Sequence, residues 1–344
     1  MTAGDQGPGG CKLREMFPNG LSMLWESVEP RGALKSRFGL DSFDDAVSWL
    51  TKVLAEVWAL EVDECERIII SDNNAIAWVR TDREELVLKW SRAQEQFAKF
   101  AATAELIHAL HTQGVPVAPP LPSVDGELRV IISSGPWPLS MTVQPAIDAD
   151  LLDTTDETAV RAAGACLATL HRAFAVHQDS RLTGRVFATQ QDSRLTGSEQ
   201  SLHQRIETWL EFHDAGLAPV ASGRLRDQLP SLPPIDVEPQ LIHNDYRGSN
   251  VLTKGSEVVA VLDFDDVGRD YCVIDLANAF VLLGTHFTAW QPTPAGVREI
   301  FLEGYQSVRP LSPIERQWLE VLVLWRGITA IPPGDDPAGW ANAV

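Results

Sequence analysis

Behind Ser42, apolar residues recur every three or four positions at Phe43, Ala46, Val47, Leu50, Leu54, Val57 and Trp58. That stripe predicts an amphipathic helix with a serine cap. The period changes over 67–90. Arg67-Ile68-Ile69-Ile70, residues 75–79 and residues 86–90 are short apolar runs, and polar turns such as Ser71-Asp72-Asn73-Asn74 separate them. Such runs predict an antiparallel meander. A helix follows over roughly 92–112, ended by Gly114 and Pro116, and a strand pair is expected at 128–133 and 139–144. After the turn at 147–150 the pattern becomes helical, first over 157–174 and then over 203–213. A proline-rich connector spans 230–239. Beyond 275 the helical pattern resumes, with breaks at Pro292–Pro294 and Pro310–Pro313, and the residues from Pro332 read as loop.

These elements divide the chain into an N-terminal extension (1–40), a sheet-bearing region with an extra helix (41–146), a mainly helical region (147–331) and a C-terminal tail (332–344). Residues 1–10 hold four glycines and a proline and are expected to fray. Residues 178–184 recur as 191–197, a single repeat too short for a solenoid and given no function.

With 344 residues, 44% apolar and 22% charged, the chain can bury ordinary cores in two lobes. Its formal charge of -19, from 47 acidic against 28 basic residues, argues against a nucleic-acid partner, which demands a positive surface. The same acidity suits a cationic small molecule, and it serves solubility equally well. Cys11, Cys65, Cys166 and Cys272 form no Cys-x-x-Cys pair, so neither a zinc site nor a disulfide framework is expected. No secretory signal is visible, and no apolar stretch approaches the roughly 18 residues needed to cross a bilayer. A cytoplasmic protein without a membrane partner, monomeric or homodimeric, is expected.

Candidate chemistry concentrates in His243-Asn244-Asp245-Tyr246-Arg247-Gly248-Ser249-Asn250 and in the following Val251-Leu252 and 258–265. The second part predicts two short strands joined by a turn at 253–257, a hairpin that brings Asn250 and Asp263 close together. Phosphoryl transfer needs Mg²⁺ on oxygen ligands, an in-line hydroxyl and neutralised phosphate charge. Asn250 and Asp263 can supply the metal oxygens, and Asp245 can orient and deprotonate a hydroxyl. Arg247 can contact the transferring phosphoryl oxygens, or it can simply pair with Asp245 or Asp270. His243 is expected to stay neutral and brace the loop.

The segment resembles the catalytic stretch of the aminoglycoside phosphotransferase and choline kinase-like family. Its His-Gly-Asp-x-x-x-x-Asn motif is matched by His243-Asn244-Asp245 through Asn250, and its Ile-Asp-Phe by Leu262-Asp263-Phe264. The resemblance implies an α+β, bilobal protein-kinase-like fold with a small antiparallel-sheet N-lobe and a mainly helical C-lobe. It implies ATP (or another nucleoside triphosphate) and Mg²⁺ as cofactors, Asp245 as catalytic base and Asn250 with Asp263 as magnesium ligands. Asp275 is then a bracing acid, and His171 in Leu167-Ala168-Thr169-Leu170-His171 a packing or bracing residue.

In the N-terminal half the resemblance implies a phosphate-positioning ion pair of Lys89 with Glu105, Glu95 being the other possible partner. Ser71, Asn73 and Gln144 complete the nucleotide-side candidates. There is no Gly-x-Gly-x-x-Gly, so phosphate contacts at the first turn fall to backbone N–H groups or the Ser71 hydroxyl. Asn244 replaces the family's glycine after the histidine, a substitution asparagine suits because it tolerates left-handed backbone angles.

The acceptor is expected between the lobes, near Asp265, Asp266, Trp209, Glu211, Asp214 and Trp290. Carboxylates would attract an amine-bearing alcohol and tryptophan could stack on a sugar or a cationic head. The expected function is therefore an ATP- and Mg-dependent phosphotransferase acting on a hydroxyl of a small, amine-bearing molecule. A metabolic kinase of homoserine, choline or a sugar, and a non-catalytic nucleotide-binding pseudokinase, are the alternatives.

Overall fold

The computed structural model describes residues 16–133, 137–182, 200–287 and 289–344. The chain forms two compact units. One runs to Leu151 and takes in Val259–Leu262, and the other holds Leu152–Val258 and Asp263–Val344.

The first unit is built on a sheet of β1 (Gly20–Met23), β2 (Val62–Ile70), β3 (Asn74–Thr81), β4 (Glu85–Ser91), β5 (Val130–Ile132) and β6 (Leu139–Pro145), in the order β1-β2-β3-β4-β6-β5. The expected meander is β2-β3-β4, with Ile68 opposite Ala77 and Ala77 opposite Leu88. One strand departs from the expectation. Gly20–Met23, inside the stretch read as an extension, pairs parallel to Arg67–Ile70. Four residues are too few to show an alternation, and the strand is anchored by the buried Arg67, which donates to the Phe17 carbonyl at 2.5 Å and to Asn19 Oδ1 at 2.8 Å.

Three helices belong with this sheet. α1 (Pro30–Phe38), also unforeseen, starts with the Glu29 carboxylate accepting from the backbone of Arg31 and Gly32 and stops at Gly39, whose φ of 73° needs no β-carbon. α2 (Phe43–Val53) has the predicted cap, Asp45 N–H donating to Ser42 Oγ at 3.1 Å. Its stripe continues through a wider helical turn, Leu54–Trp58, that ends at Ala59 with φ of 52°. α3 spans Phe97–Thr112. Ala46, Leu50, Val53, Leu54 and Trp58 bury against Ile68, Ala77, Leu88, Trp90 and Met141, and Phe38 and Trp49 meet the Trp90 ring edge-on at 6.0 and 5.7 Å. Each of the larger aliphatic side chains among them contributes about 1.5–3 kcal/mol on removal from water. Val261 N–H donates to the Pro116 carbonyl at 2.8 Å, which ties 259–262 into this unit. A two-residue strand, β7 (Asp150–Leu151), precedes the boundary.

The second unit is mainly helical: α4 (Glu157–Phe174), α5 (Leu202–Phe212), α6 (Pro219–Gln228), α7 (Cys272–Leu282), α8 (Ala295–Val308) and α9 (Pro313–Ala330). Between α6 and α7 come β8 (Gln240–Ile242), β9 (Val251–Lys254), β10 (Glu257–Val261) and β11 (Gly268–Asp270), with β8 and β11 antiparallel. α4 and α8 cross through glycines, since a β-carbon at Gly164 would overlap the Phe301 carbonyl and one at Gly304 the Arg161 carbonyl. α6 was not foreseen, because its sequence lacks an apolar stripe. The tail is more than loop: Trp340 is buried in a short 3₁₀ turn and Val344 lies against Gly327 of α9. Cys65, Cys166 and Cys272 are buried free thiols. Most of the duplicated segment lies outside the described residues.

Candidate active site

The loop between β8 and β9 is fixed from beneath by Asp275, a fully buried acid on α7. Its carboxylate accepts from the backbone N–H groups of His243 at 2.7 Å and Asn244 at 2.9 Å, and from His171 Nε2 at 3.0 Å. Burial pushes the Asp275 carboxyl up, but His171 and these backbone donors overcome it and hold the group below its ordinary range. His243 accepts Asp245 N–H on Nδ1 at 3.2 Å and packs on Phe264 at 4.8 Å. Asn244 takes φ of 67° and donates from Nδ2 to the Asp266 carbonyl at 3.0 Å. Gly248 completes the loop, since a β-carbon there would overlap the Leu283 carbonyl and the His286 ring.

This scaffold brings Asp245, Arg247 and Asn250 together. Asn250 Nδ2 donates to Asp245 Oδ2 at 2.7 Å and to the Asp245 carbonyl at 2.8 Å. Two acceptors on the same side fix the amide, leaving its Oδ1 as the atom turned elsewhere. Arg247 Nε lies 3.2 Å from Asp245 Oδ1, and its guanidinium sits 5.8 Å from the ring of the exposed Trp290. Asp270, the other acid offered as a partner for Arg247, is taken by Arg205 instead, in a bidentate buried pair at 2.9 and 2.8 Å.

Burial raises the Asp245 carboxyl most. The charge of Arg247 opposes that rise, Asp263 and Asp266 add to it, and the group is pushed up to about 7. Asp263 is exposed, in the left-handed backbone region at φ of 60°, and its charge reaches Asp245. Among the described residues no group of three His, Cys, Asp or Glu side chains is arranged to hold a metal ion. The oxygen donors near Asp245 are instead one amide and the Asp263 carboxylate, a hard-oxygen set that suits a Mg²⁺ ion taking its remaining ligands from phosphates and water.

The nucleotide-side candidates lie in the first unit. Lys89 is on β4, opposite Ile76 and Thr142, and Glu105 is on the exposed side of α3. Glu95 lies in the short 3₁₀ turn before α3. The Ser71 hydroxyl is turned to the Asn74 carbonyl at 3.3 Å, and Asn73 Oδ1 accepts from Arg92 at 3.2 Å, so both side chains build their turn. Gln144 donates to the Ala118 carbonyl at 2.7 Å.

The acceptor candidates do not form one group. Trp209 and Asp214 line a cavity of about 270 Å³ with Arg205, His213, Trp325, Arg326 and Thr329. Glu211 is exposed on α5, Asp265 is half-buried and Asp266 exposed in the turn after Asp263, and Trp290 stands over Arg247.

Residues 69–318, well over half of the chain, match the model of a family described as "Phosphotransferase enzyme family". The chain belongs to that family. A homoserine kinase from Rhizobium rhizogenes strain K84 is 27% identical over 245 residues, covering 69% of each chain. Among solved structures, a spectinomycin phosphotransferase in complex with ADP and spectinomycin aligns with a TM-score of 0.58 at 14% identity, over 82% of this chain and 84% of that one. A microcompartment-associated aminopropanol kinase aligns with a TM-score of 0.58 at 19% identity, over 86% and 92%. This phosphotransferase therefore has the protein-kinase-like α+β fold of those structures. Among its described residues no helix is long and apolar enough to cross a membrane.

Several residues around the site escaped the sequence reading. Arg326 interrupts the apolar run Leu322-Val323-Leu324-Trp325 of α9, an arginine amid core residues that could have drawn notice. Arg205 sits on the apolar face of α5, a position that signals a buried pair. Gly248 carried no signal, because only packing against α7 makes it obligatory.

Proposed function

We propose that this phosphotransferase moves the γ-phosphoryl group of ATP, or another nucleoside triphosphate, to a hydroxyl of a small molecule. Asp245 is the base. A carboxylate raised to about 7 is poised to take a proton near neutral pH, and the arrangement of Asp245 held by Arg247 and Asn250 is the observation that carries the reading. As the acceptor hydroxyl arrives it replaces one of these partners, and the loop braced on Asp275 keeps the carboxylate aimed during the exchange. Arg247, two residues from the base, is the cation for the transferring phosphoryl oxygens. Asn250 through Oδ1 and Asp263 would hold magnesium, which would neutralise phosphate charge. Lys89 with Glu105 would position the nucleotide phosphates, and Ser71, Asn73 and Gln144 lie on the nucleotide's side.

The acceptor class is a small hydroxylated compound bearing an amine, supported by the carboxylates of Asp263 and Asp266, whose charges reach the base. A second reading, a metabolic kinase acting on a compound such as homoserine, is favoured by the likeness to the Rhizobium homoserine kinase. The test is transfer of label from γ-labelled ATP to pooled amino alcohols, hydroxy amino acids, sugars and aminoglycosides, with magnesium and with chelator. Label in a small-molecule product that vanishes with chelator is expected. Nucleotide binding without any labelled acceptor would point instead to a non-catalytic binding protein.

A further inference from the structure

α7 is covered along nearly its whole length, with every residue from Cys272 to Val281 buried in the second unit. A helix covered all round is expected to be apolar all round. This one carries one charged and one amide side chain, Asp275 and Asn278. They stand three positions apart and so share a face. Asp275 is accounted for, because it takes the backbone N–H groups of His243 and Asn244. Asn278 has no such explanation. A buried amide costs stability unless its two donors and its acceptor oxygen are met. Here Nδ2 donates to the Asn244 carbonyl over a long 3.4 Å, and Oδ1 is buried with no hydrogen-bond partner among the described residues. Asparagine is also a poorer helix former than alanine or leucine. Either of those would serve the fold better at a position 2% exposed, so the amide answers to something other than packing.

What Asn278 touches supplies the reason. Asn244 stands in the left-handed region at φ of 67°, a conformation that costs a residue with a β-carbon and persists where the surroundings over-determine it. Its N–H goes to Asp275 Oδ1 at 2.9 Å, its side chain donates to the Asp266 carbonyl at 3.0 Å, and its carbonyl takes the Asn278 amide. The peptide group joining residues 244 and 245 is therefore held at both ends. Asn278 holds the carbonyl end, and His243 Nδ1 accepts the Asp245 N–H at 3.2 Å. The tilt of that plane sets the direction in which the Asp245 side chain leaves the loop.

We propose that Asn278 is a positioning residue for the base: its amide pins the Asn244 carbonyl, and with it the peptide plane from which Asp245 projects, at a net cost to the stability of α7. Asp275 and Asn278 then act as a pair, one side chain for the N–H of residue 244 and the other for its carbonyl. Without the amide the plane is free to tilt, and the carboxylate spends part of its time misaimed. Misaiming a base lowers kcat and leaves nucleotide binding alone. The catalytic role rests on the reading of Asp245 as base, whereas the clamp on the loop does not.

Asn278→Ala and Asn278→Leu in the full chain test this together. The first leaves space and the second adds bulk, so an effect common to both comes from the lost amide and not from volume. Thermal unfolding, amide hydrogen exchange over 243–250 in chelator without nucleotide, and steady-state phosphoryl transfer from ATP are measured, with Asp245→Asn as the reference for loss of the base. Tm should be unchanged or raised in Asn278→Ala. Exchange at the amides of residues 243–245 should quicken about threefold or more in both variants, the effect of one lost hydrogen bond. In both, kcat should fall about tenfold while KM for ATP stays within about twofold of the parent. A Tm lowered in both variants marks a side chain that serves the fold and overturns the proposal. Unchanged exchange in both removes the clamp, whether or not the protein transfers phosphate. Faster exchange with kcat at the parent's level, while Asp245→Asn is inactive, removes the positioning role. Turnover by Asp245→Asn at the parent's rate, or no transfer by the parent, would end the base reading instead, and the exchange result alone then upholds or removes the clamp.

Discussion

Changing Asp245 to Asn probes the central electrostatic claim through stability as well as turnover. Burial and the nearby charges of Asp263 and Asp266 lift the Asp245 carboxyl from an ordinary 3.8 to about 7, against the pull of Arg247 and Asn250. Because the folded value exceeds the unfolded one, the group's favourable contribution is complete below about pH 4 and is lost as pH rises through 7. That interval corresponds to at most about 4 kcal/mol of destabilisation at pH 8.5, of which about 2 kcal/mol develops between pH 5.5 and 8.5. An asparagine of the same shape carries no charge to desolvate. It also forfeits part of the bonding to Arg247 and Asn250, on the order of 1–2 kcal/mol at any pH. Relative to the parent, the variant should therefore gain about 2 kcal/mol on moving from pH 5.5 to 8.5, a relative rise in Tm of several degrees. Thermal unfolding followed by circular dichroism in chelator, at both pH values, measures it. The same variant should lose at least about a hundredfold in turnover, the usual worth of a general base. A Tm difference that is equal at the two pH values, or that moves the other way, would refute the buried-carboxylate argument.

Further consequences concern the frame around that carboxylate. Gly248→Ala must displace the loop from the Leu283 carbonyl and the His286 ring, so turnover should fall at least about tenfold while far-UV circular dichroism is preserved. Arg205→Gln leaves Asp270 charged and buried without its bidentate partner, and should cost about 3–5 kcal/mol in urea unfolding, with Arg205→Gln/Asp270→Asn recovering part of it. If Lys89 positions the nucleotide phosphates, Lys89→Ala should raise KM for ATP at least about tenfold and leave acceptor KM unchanged in steady-state assays. The opposite pattern would take Lys89 out of that role.

Periodicity alone determined the meander from Arg67 to Trp90, the Ser42-capped helix and the helix from Glu157 to Phe174, because in each the apolar spacing and the turn residues agree. The stretch from His243 to Asn250 was legible for a different reason: its residue types resemble a known motif, and the residues that meet at Asp245, Arg247 and Asn250, lie within five positions of it. Other features depend on contacts between segments far apart in sequence. β1 exists because Arg67 reaches Phe17 and Asn19, nearly fifty residues away, a pairing four residues cannot announce. Gly248 is obligatory only because α7 and His286 pack on it, and Arg326 joins Trp209 and Asp214 in one cavity only because α5 and α9 are folded against it. A sequence records which side chains are available and their local spacing. Charge, burial and close approach arise when distant segments share one volume, so the tertiary fold alone decided which aspartate is raised and which arginine faces a cavity.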